Sequence, residues 1–220
     1  MNEYIDYGNN LATLLKNANE KDYDKIIECF CSSNTNPVFE NALKIISDPN
    51  NKNKILYINS EKINENYILN YNIGNNKLLI ITPTNIIIDE LSVVEDSNKI
   101  SNYATTKSKS GISSRTYYGL VGNKLFSIAV KCTFNYNGTK AWYKSGFDYY
   151  YTKGTLSVWQ VSNWRGWKEA SGTSYKAYCS GNFHWGVEYN GNGLVIQDYY
   201  CKNTLTCDKK GNISRSATYI

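Results

Sequence analysis

Leu125-Phe-Ser-Ile-Ala-Val-Lys-Cys-Thr-Phe-Asn-Tyr136 alternates without a break. Phe126, Ile128, Val130, Cys132, Phe134 and Tyr136 fall on one side, and Ser127, Ala129, Lys131, Thr133 and Asn135 on the other. A period of two over this length is a half-buried β-strand and is incompatible with a helix. Asn137-Gly138 follows, the strongest short hairpin signal. Working outward, further strands are expected at 115–121, 140–151, 155–162, 173–180, 182–189, 193–200, 202–207 and 212–219. Lys153-Gly154, Ser171-Gly172, Asn190-Gly-Asn-Gly193 and Lys209-Lys-Gly-Asn212 separate them. Short strands with a turn signal about every 10 residues predict an antiparallel sandwich or barrel.

Upstream the period differs. Residues 3–18 carry Ile5, Leu11, Leu14 and Leu15 at helical spacing, and 22–31 carry Ile26, Ile27 and Phe30. A third helix is expected at 37–47, with Pro37 near its first turn and Phe39, Leu43 and Ile46 inward. Asp48-Pro-Asn-Asn-Lys-Asn53 stops helix, and four strands follow from Ile55, Tyr67, Lys77 and Asn85. Helices and then a β-meander give an α+β N-terminal domain ahead of the all-β antiparallel sandwich.

Charge divides at the same place. Of the 220 residues, 1–100 hold 9 Lys/Arg against 14 Asp/Glu, and 101–220 hold 15 against 5. All five Trp, 14 of 20 Tyr and 13 of 15 Gly lie in the second part. The stretch Glu95–Ser114 is polar and rich in Ser, Thr and Lys. These shifts predict an α+β domain at 1–96, a linker at 97–114 and a β-sandwich domain at 115–220. No stretch approaches the ~18–20 apolar residues of a membrane helix, which excludes a helical span.

The order of elements in the N-terminal part resembles the cystatin-like or NTF2-like group, which implies helices packed on one face of a curved sheet. In the C-terminal part, Cys132-Thr-Phe-Asn-Tyr-Asn-Gly138, Trp159-Gln-Val-Ser-Asn-Trp164 and Cys207-Asp-Lys-Lys-Gly-Asn-Ile-Ser214 resemble small secreted β-sandwich domains of Gram-positive bacteria. That resemblance implies a fold and an exported location, without a settled activity. Abundant Asn, Ile and Lys with three Pro agree with an AT-rich genome. The segment Met1-Asn-Glu-Tyr-Ile-Asp is acidic and is not a signal peptide. The expectation is therefore a mature exported chain, with a cytoplasmic protein as the alternative.

Six Cys, at 29, 31, 132, 179, 201 and 207, permit 15 disulfide connectivities. Export predicts at least one bridge within 132–207; buried free thiols are the other reading. No Cys-x-x-Cys occurs and His184 is the lone histidine, so no metal or cofactor is expected. In Gly181-Asn-Phe-His-Trp-Gly186, alternation places His184 and Glu188 together, and Cys179 lies five residues before His184. A hydrolase built on these is the weakest functional reading, beside a polar residue on a solvated sheet face.

The aromatics give the stronger signal. Consecutive Tyr149, Tyr150 and Tyr151 cannot all face inward in a strand. Trp142, Tyr149, Tyr151, Trp164, Arg165, Trp167 and Lys168 are the candidate ligand-binding residues, with 163–168 read as a loop. Flat rings beside cations suit an anionic glycan or cell-envelope surface. They also suit membrane lipid, as in a toxin-like or bacteriocin-like protein. Nucleic acid uses the same chemistry but fits an exported chain least. A non-catalytic surface-binding protein is the leading expectation.

Overall fold

The structure is a computed structural model that describes residues 1–40, 44, 48, 50, 55–59, 67–95, 106–119, 121–154, 159–188 and 194–219. Two helices open the chain, α1 (Asn2–Lys16) and α2 (Tyr23–Ser33), joined by a 3₁₀ turn at Glu20–Asp22. Residues 37–40 are helical, and most of the third expected helix lies outside the described residues. Among the described residues eleven strands follow: β1 (Ile55–Asn59), β2 (Leu69–Gly74), β3 (Lys77–Ile81), β4 (Ile86–Glu95), β5 (Lys107–Tyr118), β6 (Lys124–Tyr136), β7 (Ala141–Lys153), β8 (Trp159–Ser171), β9 (Ser174–Glu188), β10 (Leu194–Cys207) and β11 (Ile213–Tyr219).

They form two sheets. A six-stranded sheet runs β2-β3-β4-β5-β6-β7, each strand antiparallel to the one before. A five-stranded sheet runs β1-β10-β9-β8. One edge of β10 is shared: β1 pairs in parallel with Leu194–Asp198, and β11 pairs antiparallel with Cys201–Cys207.

The alternation of β6 is realised. Phe126, Ile128, Val130, Cys132 and Phe134 are fully buried on one face. On the other face Ser127 meets Thr116 at 2.9 Å and Thr133 meets Ser110 at 2.9 Å. The helices pack on this second face, farther along the sheet. Tyr4, Tyr7, Leu11 and Leu15 of α1 and Tyr23, Ile27, Phe30 and Cys31 of α2 bury against Leu79, Ile81, Ile86, Ile88 and Tyr118. Ile5 and Leu14, expected inward, are exposed; the tyrosines take the buried stripe instead. Each large side chain so buried contributes about 1.5–3 kcal/mol. Tyr118 donates to Asp24 at 2.6 Å and Tyr4 donates to the Tyr67 carbonyl at 2.7 Å, fixing the helices on the sheet.

On the first face the two sheets share their core. Ile80, Ile87, Tyr117, Phe126 and Ile128 of one cluster with Phe183, Tyr199 and Cys201 of the other. Val130, Cys132 and Phe134 cluster with Ala177, Cys179, Leu205 and Cys207. Buried polar ties join them too. Asp89 lies 3.1 Å from Arg115 and 3.0 Å from Arg215, and Ser113 donates to Asn203 at 2.7 Å.

Three expectations change. Residues 107–114, read as linker, are the first part of β5, whose register with β4 runs from Ile86↔Tyr118 to Glu95↔Lys109. Their small polar side chains are needed there. A Cβ at Gly111 would lie 3.0 Å from Ile213 and 3.2 Å from Leu205, and Ser113 is fully buried. The breaks expected near 181 and 201 are absent, because β9 and β10 each run through as one strand paired from Leu194↔Glu188 to Cys207↔Tyr175. Finally, all six cysteines are free thiols, with Cys29 exposed and the rest buried. Register gives the reason for one pair: Cys179 faces Asn203, so Cys201 is its diagonal neighbour. Diagonal positions stand about 7–8 Å apart, beyond the ~3.5–4.5 Å that a disulfide spans between Cβ atoms.

Candidate functional site

The seven aromatic and basic residues singled out from sequence do not share one face. Register sorts them. Tyr149 lies opposite Val130 and Tyr151 opposite Ile128, so both follow the inward side of β6. They meet Trp164, with centroids 6.0 Å and 5.2 Å away, and Trp164 also meets Phe183 at 6.0 Å. Trp164 is thus half-buried packing between the sheets, not an exposed loop residue. Lys168 lies 4.7 Å from the Tyr143 ring and 4.8 Å from Phe147 along the same side. Trp142 lies opposite Asn135 on the other face of its sheet, with Lys140 at 5.9 Å. Tyr150 shares that face and is 45% exposed.

Arg165 and Trp167 come together on the outer face of the five-stranded sheet. Trp167 stands opposite Tyr178 on β9, and their rings stack at 4.6 Å with an 11° interplanar angle. Arg165 sits 5.3 Å from the Trp167 ring. Lys202 of β10 sits 5.2 Å from Trp167 and 4.7 Å from Tyr178. The Tyr178 hydroxyl donates to Glu169 at 2.8 Å; burial first, and then that carboxylate, push its pKa up to about 12. It is a neutral phenol at any ordinary pH. The cluster therefore presents two cations held on a rigid aromatic pair. Cation–π contacts of this kind contribute about 0.5–2 kcal/mol each and keep the charged heads at the surface.

Beside the stack the pairing of β8 and β9 slips. Ser162 pairs with Asn182 and Arg165 with Ser180, so Asn163 and Trp164 together oppose Gly181. Residues 163–168, read as a loop, are strand: past the bulge, Arg165–Lys168 pair with Ser180–Ala177. Asn163 takes a positive φ of 54°, which Asn tolerates better than most residues. Gly181 leaves the space that Trp164 fills; a Cβ there would lie 2.8 Å from the indole. A cleft of about 340 Å³ opens at the bulge, lined by Asn163, Trp164, Arg165, Ser180, Asn182 and Tyr200. The Ser180 hydroxyl is buried there, without a hydrogen-bond partner among the described residues. Sequence reasoning found Trp164 and Arg165 but missed Tyr178, Ser180, Asn182, Tyr200 and Lys202. Even-numbered alternation along β9 and β10 could have found them, had each been read as one strand.

Of the residues named for the catalytic reading, His184 and Cys179 do not come together. His184 faces Asp198 across the β9–β10 ladder, and the two side chains hydrogen-bond in the open, each about half exposed. Cys179 is on the opposite face of the unbroken β9, buried, with its thiol pushed up to about 12 by burial. It supplies no thiolate and does not face the imidazole. The side chain of Glu188 lies outside the described residues. Among the described residues, no group of three or more His, Cys, Asp or Glu could hold a metal ion. Comparisons with protein families, with curated proteins and with solved structures return no match to this chain.

Proposed function

We propose that the two sheets stack as a sandwich, and that the outer face of the five-stranded one binds an anionic glycopolymer of the cell envelope, without catalysis, in an exported bacterial protein. The observation that carries this reading is the stacked pair Trp167–Tyr178 with Arg165 and Lys202 on it. A flat, apolar, rigid surface packs against sugar rings, and adjacent cations attract carboxylate or phosphate groups. Lys176 shares this face by alternation with Tyr178, where it stands opposite Glu169. Cosedimentation with purified cell wall across a salt series tests the reading. Wild type should pellet and should be released as salt screens the cations. Trp167→Ala and Lys202→Ala should each weaken pelleting while lowering the melting temperature by no more than several degrees. Unchanged pelleting in both variants overturns the proposal.

The membrane-directed, toxin-like reading has less support. It relies on aromatic side chains projecting from a loop, and Trp164 instead packs between the sheets. Flotation with anionic liposomes separates the two readings.

A further inference from the structure

We infer that the cleft at the β8 bulge is a subsite for one carboxylate-bearing sugar unit, a uronic-acid-type residue of the polymer; this rests on the glycopolymer reading above. Four observations point there. Its volume of about 340 Å³ lies at the small end of ligand pockets, about 300–1,000 Å³, and so suits a single ring with its substituents. Among the described residues its lining carries one cation and no carboxylate: Arg165 stands among Asn163, Ser180, Asn182 and Tyr200. One guanidinium matches one carboxylate by its planar fork, and the amides and hydroxyls both donate and accept, as vicinal sugar hydroxyls require. Trp164 adds an apolar wall.

The fourth observation is Ser180. The residue is 1% exposed, and among the described residues its hydroxyl has no hydrogen-bond partner. A buried hydroxyl without a partner is costly, and a group entering the cleft would supply one. The bulge is what assembles the set. It inserts an extra residue, turns Asn163 out at positive φ and brings Arg165 opposite Ser180. A sheet without it would place Arg165 one position out of step. The cleft adjoins the Trp167 stack through Arg165, which belongs to both. A polymer lying on the stack would thus present one unit to the cleft.

The test uses isotope-labelled full-length protein titrated with glucuronic acid, with glucose and with inorganic sulfate. Glucuronic acid should shift the backbone amides of residues 163–165 and 180–182, and glucose should bind at least about tenfold more weakly. Asn182→Ala and Arg165→Gln should each weaken glucuronic acid by about tenfold, whereas Tyr150→Ala, exposed on the far face of the other sheet, should leave it within about twofold. Sulfate displacing glucuronic acid at equal concentration would reduce the cleft to a simple anion site and overturn the inference. So would shifts confined to other residues. Polymer retention lost in Trp167→Ala while glucuronic acid stays silent would sink the cleft and leave the polymer reading intact. Glucuronic acid bound at the bulge without any retention of polymer would do the reverse.

Discussion

Two tryptophans three positions apart have opposite duties. Trp164 touches Tyr149, Tyr151 and Phe183 between the sheets, whereas Trp167 lies on the outer face against Tyr178. Trp164→Ala should cost on the order of 3 kcal/mol, through lost burial and the cavity left behind. Trp167→Ala should cost under about 1 kcal/mol and act on binding. Chemical denaturation of the two single variants checks this, and equal destabilisation would contradict the assignment. The sequence reading did not separate them because it took 163–168 as a loop; alternation carried on from Val161 would have turned Trp167 inward, and the bulge at Asn163–Trp164 reverses that. The cysteines pose a similar question. Cys29 is exposed, while Cys132, Cys179, Cys201 and Cys207 are buried with thiols pushed up to about 12 by burial. A thiol reagent at pH 8 should therefore label Cys29 rapidly and leave those four protected until the protein unfolds. Mass spectrometry without reductant then reads the labels directly. A bridge among the four would contradict the free thiols.

At the scale of an element, β5 is the instructive strand. Its first half, Lys107-Ser-Lys-Ser-Gly-Ile-Ser-Ser114, has the composition of a linker and the pairing of a strand. Small residues serve there because the neighbours are large: Ile213 and Leu205 crowd the space over Gly111. Gly111→Val should destabilise by about 1–3 kcal/mol, since the added methyl groups meet packed side chains. Were the segment a linker, the same change would be silent in thermal melting. Strand β6 was fully legible because its inward positions are all large and apolar and its outward ones mostly polar. For β9 and β10, legibility failed for a local reason. The sequence reading ended strands at 180 and at 200, yet Gly181 is a strand interior position that makes room for Trp164. The candidate site straddles these two strands, so splitting each of them hid its second and third rows of residues.

At the scale of the whole molecule, buried thiols and phenols couple stability to pH. Burial raises Cys132, Cys179, Cys201 and Cys207 from 9.0 to about 12, and raises the phenols of Tyr4, Tyr7, Tyr117, Tyr118 and Tyr199 above their usual 10.0. In the unfolded chain these groups lose protons from about pH 9 upward, while the folded protein holds them. The unfolded state then binds fewer protons, so stability is intact below pH 9 and falls as pH rises toward 12. Each thiol contributes up to about 1.4 kcal/mol per pH unit in that window. Melting temperatures at pH 7, 9, 10 and 11 should drop steeply only in the last steps. A flat profile would mean that these groups are not buried as described.

The charge and composition break near residue 100 suggested two separable units, but the pairings cross it. β4 pairs with β5 over ten registered positions, and β1 adds in parallel to β10. Asp89, from the acidic part, is buried between Arg115 and Arg215 of the basic part, and Ile80 and Ile87 sit in a cluster with Phe126 and Phe183. Removing either part would expose an apolar sheet face and leave buried charges without partners, which costs about 3–5 kcal/mol for a single broken pair. Asp89 is thus one point at which opposite charges of the two parts meet inside a shared core. A protease site placed within 97–105 and cut in the purified protein tests this. The two fragments should co-elute in size exclusion at native pH and separate only in denaturant, and the nicked protein should keep a cooperative melt. Fragments that part without denaturant, each retaining its own melting transition, would establish two independent domains instead.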